Sequence, residues 1–247
     1  GGEPGGEGAS DVERLRGGVA GDAAGEGELV LDVALVHARA RRLRAGEREE
    51  VERSFARFDE MFSGRAPGYE GVDTLYHDTQ HTLDITLAMA RLLAGYQQSC
   101  AVGDRLGVER TVTGLVCALF HDSGYIRRTA ERNRNGAEFT GIHIARGAEF
   151  LVSYLPRIGL GTSVAVARQI VHFTGYEVSF DDIELDDPRD SLVGHLLGTG
   201  DMLAQMADRC YLEKCRDRLY GEFVLGGVAI EAKGPRERLV RYASGED

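Results

Sequence analysis

Apolar residues recur with a helical period along most of this chain. In residues 47–62, for example, Val51, Phe55, Phe58 and the pair Met61-Phe62 share one face, and acidic residues occupy the other. Segments typical of strands are almost absent. The pattern therefore predicts an all-α fold. Helices are expected at residues 29–44, 47–62, 76–95, 108–121, 138–155, 163–173 and 191–220, with Ser163 as the N-cap of the sixth.

The two ends of the chain differ from this pattern. Residues 1–27 are rich in Gly, Glu and Ala and lack periodic apolar positions, which predicts a disordered tail. Residues 28–247 are numerous enough for one domain with a large core. Residues 226–247 are ambiguous: Phe223-Val224-Leu225 and Val228-Ala229-Ile230 fit either a short hairpin or an irregular helix.

The charge balance excludes some partners. The 247 residues carry 29 Lys and Arg against 40 Asp and Glu, a net charge of -11. An excess of negative charge does not favour binding to bulk nucleic acid or to an anionic membrane, but a local basic segment could still bind a small phosphate.

The four cysteines form no CxxC pair, which favours a reducing cytoplasm. The phenylalanines of residues 47–62 fit a homodimer contact or packing within the chain.

Histidine and aspartate side chains of the metal-binding kind are spread through the middle of the sequence. Imidazole and carboxylate are the ligands that many divalent metals prefer. The adjacent pair His121-Asp122 ends a predicted helix, where both side chains could reach one site. A carboxylate in the middle of an apolar helix is costly unless it is paired or bound to a metal. The candidates are His77, His81, Asp84, His121, Asp122, His143, His172 and Asp201.

Three parts of the sequence that carry these candidates resemble a known family. The hexapeptide Tyr76-His77-Asp78-Thr79-Gln80-His81, the segment Phe120-His121-Asp122-Ser123-Gly124-Tyr125 and the distal Asp201 are similar, in this order, to the HD superfamily of metal-dependent phosphohydrolases. The first segment is closest to the cyclic-nucleotide phosphodiesterase branch, although Asp78 stands where those enzymes usually have Asn. The resemblance implies that residues 28–247 form an HD-domain helical bundle.

The resemblance also implies a role for each candidate. His81, His121, Asp122 and Asp201 would bind a first divalent ion, and Asp122 would bridge to a second. His143 and His172 would complete a binuclear centre of Mg, Mn, Fe or Zn. A metal-bridged hydroxide would attack phosphorus. His77 would be the general acid that protonates the leaving oxygen, and Asp84 would orient a ligand histidine.

A basic loop follows the His-Asp pair. Guanidinium groups bind phosphate in a bidentate manner, so this loop could hold an anionic substrate such as a nucleotide. An ordinary solvated turn is the alternative for any one of these side chains. The arginines concerned are Arg127, Arg128, Arg132 and Arg134.

Two other functions fit the same residues. An HD-type di-iron oxygenase would use a similar ligand set, and a non-catalytic nucleotide-binding regulator would need only part of it. His77, four residues before His81, favours hydrolysis of a phosphate ester. His37 lies on the polar side of the first predicted helix near arginines, and His195 is about 120° around its helix from Asp201, so both are interpreted as ordinary side chains.

Overall fold

A computed structural model describes residues 45–232 and 238–246. The tail predicted at residues 1–27 and the helix predicted at residues 29–44 lie outside the described residues. The described part is mostly helical, with one short pair of strands. The prediction of an all-α chain is therefore confirmed at this level.

The helices vary in length from four to 21 residues. The α-helices are α1 (Ala45–Phe62), α2 (Thr79–Ser99), α3 (Gly107–Phe120), α4 (His143–Tyr154), α5 (Val164–Ile170), α6 (Pro188–Ala207), α7 (Tyr211–Lys214) and α8 (Tyr220–Leu225). A π-helical segment, Cys215–Leu219, joins α7 to α8. Short 3-10 helices lie at Val102–Asp104, Ser123–Tyr125, Thr129–Glu131, Gly136–Phe139, Leu155–Ile158, Gly161–Ser163, Val171–Thr174 and Phe180–Asp182.

Helix α3 forms the centre of the fold. Every residue from Val112 to Phe120 is buried, which explains the uninterrupted apolar run in this part of the sequence. Helices α2 and α6 pack against α3 and against each other. At Gly114 an added Cβ would lie 2.8 Å from the side chain of Met89 and 2.9 Å from that of Val193, so the absence of a side chain permits this packing.

The two glycines in the middle of α6 allow close approach of neighbouring backbone. An added Cβ at Gly198 would lie 2.4 Å from the carbonyl oxygen of Phe173, and one at Gly200 would lie 3.4 Å from the backbone nitrogen of Met89. Close helix packing therefore offsets the cost of glycine within a helix. This packing brings α6 against α2 near Asp201.

The start of α2 differs from the prediction. The helix begins at Thr79 because the side chain of Asp78 acts as its N-cap and accepts a hydrogen bond from the backbone N–H of His81 at 2.9 Å. His77 therefore precedes the helix. The helix predicted at residues 76–95 thus starts three residues later than expected, and the proximity of His77 and His81 does not come from one helix.

Other helix ends also differ from prediction. Ser163 occupies the predicted N-cap position of α5, but its hydroxyl donates to Glu109 and makes no capping hydrogen bond. Helix α6 begins at Pro188, where the carboxylate of Asp187 caps it, and it ends at Ala207, well before residue 220. Helix α4 begins only at His143, since residues 136–139 form a separate 3-10 turn.

The C-terminal part combines the two predicted alternatives. Phe223 lies in α8, whereas Ile230–Ala232 and Arg238–Val240 form antiparallel strands β1 and β2, with Ile230 opposite Val240. Residues 233–237, between the strands, are outside the described residues. No helix within the described ranges is long and apolar enough to span a membrane.

The turn after α3 packs tightly against the start of α4. An added Cβ at Gly124 would lie 1.8 Å from the carbonyl oxygen of His143. Arg146 donates to the carbonyl oxygen of Gly124 at 2.8 Å and forms a bidentate pair with Glu131, both contacts at 2.9 Å. These contacts fix the position of His143 relative to the end of α3.

We expect Gly124→Ala to destabilise the protein by about 2 kcal/mol or more, because the new methyl group overlaps the backbone of α4. Gly95→Ala is the matched control: Gly95 is exposed in α2 with open space around it, and alanine should stabilise that helix by about 1 kcal/mol. Equal urea midpoints for Gly124→Ala and the wild type would contradict this packing.

Candidate metal centre

Two imidazoles converge on the buried carboxylate of Asp122. Oδ2 of Asp122 lies 3.1 Å from Nε2 of His121 and 3.3 Å from Nε2 of His81. His121 ends the buried helix α3, and His81 lies in the first turn of α2. The packing of these helices therefore brings together two histidines that are 40 positions apart in the sequence.

Backbone carbonyls set the orientation of two histidines. Nδ1 of His121 donates to the carbonyl oxygen of Ala118 at 2.7 Å, and Nδ1 of His143 donates to that of Thr140 at 2.7 Å. In the neutral form of each ring, this hydrogen bond leaves Nε2 with its lone pair. This is the usual arrangement of a histidine that binds a metal.

Asp201 approaches the same point from α6. Its Oδ1 lies 4.0 Å from Nε2 of His81, and its carboxylate is buried. Ligand atoms of His81, His121 and Asp201 all lie within 4.8 Å of one another. Three helices thus contribute one side chain each to a group that could hold a metal ion.

His143 faces the other oxygen of Asp122. Its Nε2 lies 3.7 Å from Oδ1, whereas His81 and His121 face Oδ2. The carboxylate of Asp122 thus has imidazole on both sides. Among the described residues, however, His143 belongs to neither group of three ligand atoms that lie within 4.8 Å of one another.

Glu222 holds His77 at the edge of this cluster. Oε2 of Glu222 accepts a hydrogen bond from Nδ1 of His77 at 2.5 Å, and its Oε1 accepts one from the backbone N–H of Tyr76 at 2.5 Å. His77, His81 and Asp122 each offer a ligand atom within 4.8 Å of the other two. The proximity of His77 and His81 therefore depends on the C-terminal helix α8 and not on helical spacing.

Sequence reasoning missed Glu222, although its neighbours gave a signal. Phe223, Val224 and Leu225 follow it directly, so it is an acidic residue beside an apolar run. In the structure only 2% of its surface is exposed. The argument that drew attention to Asp201, the cost of a buried carboxylate without a partner, applies equally to Glu222.

Tyr125 lies between two histidine rings. Its ring centroid is 4.5 Å from that of His77 and 4.3 Å from that of His143, with interplanar angles of 21° and 22°. Burial raises the pKa of Tyr125 well above its ordinary value, so its hydroxyl remains protonated. The stacked rings fix the spacing of His77 and His143 across the cluster.

The buried polar atoms at the centre fit a metal ion. Among the described residues, neither Nε2 of His121 nor Oδ2 of Asp122 takes part in a hydrogen bond, although both are buried and only 3.1 Å apart. Buried polar atoms without a hydrogen bond are costly. When His121 is neutral both atoms carry a lone pair, so the two are suited to bind the same cation.

Charge interactions shift the pKa values of this cluster in opposite directions. Burial lowers the pKa of His121, but the carboxylates of Asp122 and Asp201 outweigh it and raise the pKa to about 9. For His143, burial outweighs the attraction of Asp122 and lowers the pKa to about 4. Burial raises the pKa of Asp122, but His121 and His77 hold it well below its ordinary value.

Two predicted residues take other positions. Within the described chain, His172 belongs to neither group of ligand atoms; burial, followed by the charge of Arg168, lowers its pKa. Asp84 accepts a hydrogen bond from Gln80 at 2.9 Å, and no hydrogen bond to a ligand histidine is found among the described residues. The structure thus does not bring His172 into the cluster.

The four arginines of the basic loop have partners of their own. Arg127 contacts Asp73 at 3.2 Å, and its guanidinium donates to the carbonyl oxygens of residues 132 and 134. The other three form ion pairs. Among the described residues, none of the four arginines contacts the His-Asp cluster. The pairs are Arg128–Glu149, Arg132–Glu70 and Arg134–Glu138.

A recess opens beside His81 instead. Its cavity volume is only about 20 Å³, and its wall carries the cations Lys214 and Arg218 together with the carboxylates of Asp78, Asp84 and Asp208. Lys214 pairs with Asp208, and Arg218 lies 3.7 Å from Asp78. Sequence reasoning missed these two cations because α7 and the π-helical segment carry no recognisable motif.

Glu177 also has a position that the sequence did not indicate. It accepts hydrogen bonds from the backbone N–H groups of Ile144 and Ala145 at 2.7 and 2.9 Å, and its Oε1 lies 3.6 Å from Nδ1 of His143. It thereby satisfies free N–H groups at the start of α4. This contact stabilises the helix end that carries His143.

Comparisons with known proteins gave no relatives. No known family profile, no curated protein and no solved structure matches this chain.

Glu222→Gln should lower the pKa of His77. Burial lowers that pKa, but the Glu222 carboxylate and then Asp122 raise it above its ordinary value, so removing one negative charge shifts it downward. NMR titration of the metal-free protein measures this change. The exposed Glu213→Gln is the control. An unchanged His77 pKa in Glu222→Gln would show that the contact with Glu222 is absent in solution.

Proposed function

We propose that this chain is a metal-dependent phosphoric ester hydrolase of the HD type. Its substrate would be a phosphate ester of a nucleotide or a similar small molecule. The observation that carries the proposal is the convergence of the Nε2 atoms of His81, His121 and His143 on the two oxygens of Asp122. The resemblance to the HD superfamily supports it, since the segments that carry the resemblance also supply this cluster.

The ligands of the proposed first ion are His81, His121, Asp122 and Asp201. His143, on the other side of Asp122, would contribute to a second ion. Divalent ions bound here would supply Lewis-acid activation of water and neutralise charge on the phosphoryl oxygens. Mg, Mn, Fe and Zn all accept imidazole and carboxylate ligands to some degree, so the residues by themselves do not select one of them.

His77 is the proposed proton donor to the leaving oxygen. Glu222 occupies Nδ1, which leaves Nε2 for proton transfer, and the stacked ring of Tyr125 restricts rotation of the imidazole. The raised pKa of His77 favours the protonated form, which a general acid requires. This arrangement favours hydrolysis over the oxygenase alternative.

The recess beside His81 is the proposed entrance for substrate. Lys214 and Arg218 line it together with His81. The ion pairs of Arg127, Arg128, Arg132 and Arg134 do not favour their use as a phosphate clamp. Lys214 and Arg218 are ion-paired as well, so we assign the attraction of a phosphorylated substrate to the bound divalent ions.

The activity test uses protein loaded with Mn²⁺ or Mg²⁺ and a panel of phosphate monoesters and cyclic nucleotides. We expect turnover by the wild type and a loss of more than about a hundredfold in His121→Ala, because that variant lacks a direct ligand. His195→Ala is the control, since His195 is exposed and packs on Phe173. Turnover that survives His121→Ala would refute the proposal. Iron content with an oxygen-dependent product would favour the oxygenase.

Metal binding should release a proton. His121, with a pKa of about 9, is protonated at neutral pH and must lose its proton to become a ligand, whereas His143 is already neutral. With one proton released per ion, the affinity for Zn²⁺ should fall by about tenfold for each pH unit below 9. Calorimetry in buffers of different ionisation enthalpy counts the protons. Binding without proton release would contradict the state assigned to His121.

A further inference from the structure

A chain of two hydrogen bonds leads from Tyr76 to Asp201. The hydroxyl of Tyr76 donates to Oε1 of Gln205 at 2.8 Å, and Nε2 of Gln205 donates to Oδ1 of Asp201 at 2.5 Å. The amide of Gln205 has one acceptor end and one donor end. Because Tyr76 occupies the acceptor end, the donor end faces Asp201.

The fold holds both ends of this chain in place. Asp201 and Gln205 are four residues apart in α6, so their side chains are neighbours on one face. Tyr76 is buried in the segment before α2, and its backbone N–H donates to Glu222. Contacts from two separate parts of the chain therefore determine the position of the Tyr76 hydroxyl.

The orientation of Asp201 matters for the metal centre. Its Oδ1 is the atom that lies 4.0 Å from Nε2 of His81. A carboxylate oxygen has more than one lone pair, so a hydrogen bond from Gln205 leaves others for an ion. Without that bond the buried carboxylate could rotate away from His81.

We propose that Gln205 and Tyr76 are positioning residues for the metal ligand Asp201. Gln205 fixes the rotation of the Asp201 carboxylate, and Tyr76 acts through Gln205 by fixing the rotation of its amide. This inference rests on the proposed function, because it assumes that Asp201 binds an ion. It adds Gln205, which lies outside the segments of the family resemblance, and gives a role to Tyr76, to which the resemblance assigned none.

The test is a double-mutant cycle with Tyr76→Phe, Gln205→Met and the double variant. Affinities for Mn²⁺ and Zn²⁺ are measured by competition with a chelator. We expect each single variant to weaken binding by about tenfold, the scale of lost partners of metal ligands. The double variant should bind about as weakly as Gln205→Met alone, because Tyr76 has no separate route to Asp201.

Matched controls come from the far end of α2. Tyr96→Phe removes a hydroxyl that donates to the carbonyl oxygen of Asp104, and Gln97→Met removes an amide that donates to Thr111. Neither should change the affinity for metal. Unfolding of each metal-free variant, Tyr76→Phe included, separates loss of folding from loss of a ligand's orientation.

The outcomes distinguish the two proposals. Wild-type affinity in both Tyr76→Phe and Gln205→Met would refute the positioning role and leave the metal centre intact. Fully additive losses would refute the action of Tyr76 through Gln205. Absence of metal binding by the wild type would refute the metal centre, and the positioning role with it.

Discussion

This site depends on the contacts that compensate for burying the carboxylate of Asp122. Only 3% of its surface is exposed, and imidazoles approach both of its oxygens. A buried anion is tolerated only where cationic groups, hydrogen bonds or a metal compensate for the lost hydration. The segments around Asp122 place imidazoles against its carboxylate. The proposed metal chemistry uses the same imidazoles as ligands.

The position of Asp122 follows from the packing of α3. That helix is buried over its last nine residues, so its end is fixed by contacts on all sides. The chain then turns through Gly124, which lies against the backbone of His143 because it has no side chain. Arg146 holds this turn by donating to Gly124 and pairing with Glu131. The rigidity of the site therefore depends on residues that take no part in its chemistry.

The C-terminal helix closes the other side of the cluster. Glu222 of α8 holds both Tyr76 and His77, and Tyr76 reaches Asp201 through Gln205. The proposed proton donor and a proposed metal ligand are thus linked through one tyrosine. A site assembled from segments so distant in sequence requires their packing in the fold, because its groups come from α2, the end of α3, the start of α4, α6 and α8.

The sequence by itself determined the helical class, because apolar residues with a period near 3.6 leave few other folds. It also indicated His81, His121, Asp122, His143 and Asp201, since their residue types and order are readable along the chain. Tertiary structure alone decided the contacts of His77, the separation of His172, and the partners of the four loop arginines. Glu222, Gln205 and Glu177 were likewise found only in three dimensions. Their roles come from contacts between distant segments, and these distances are absent from any local pattern.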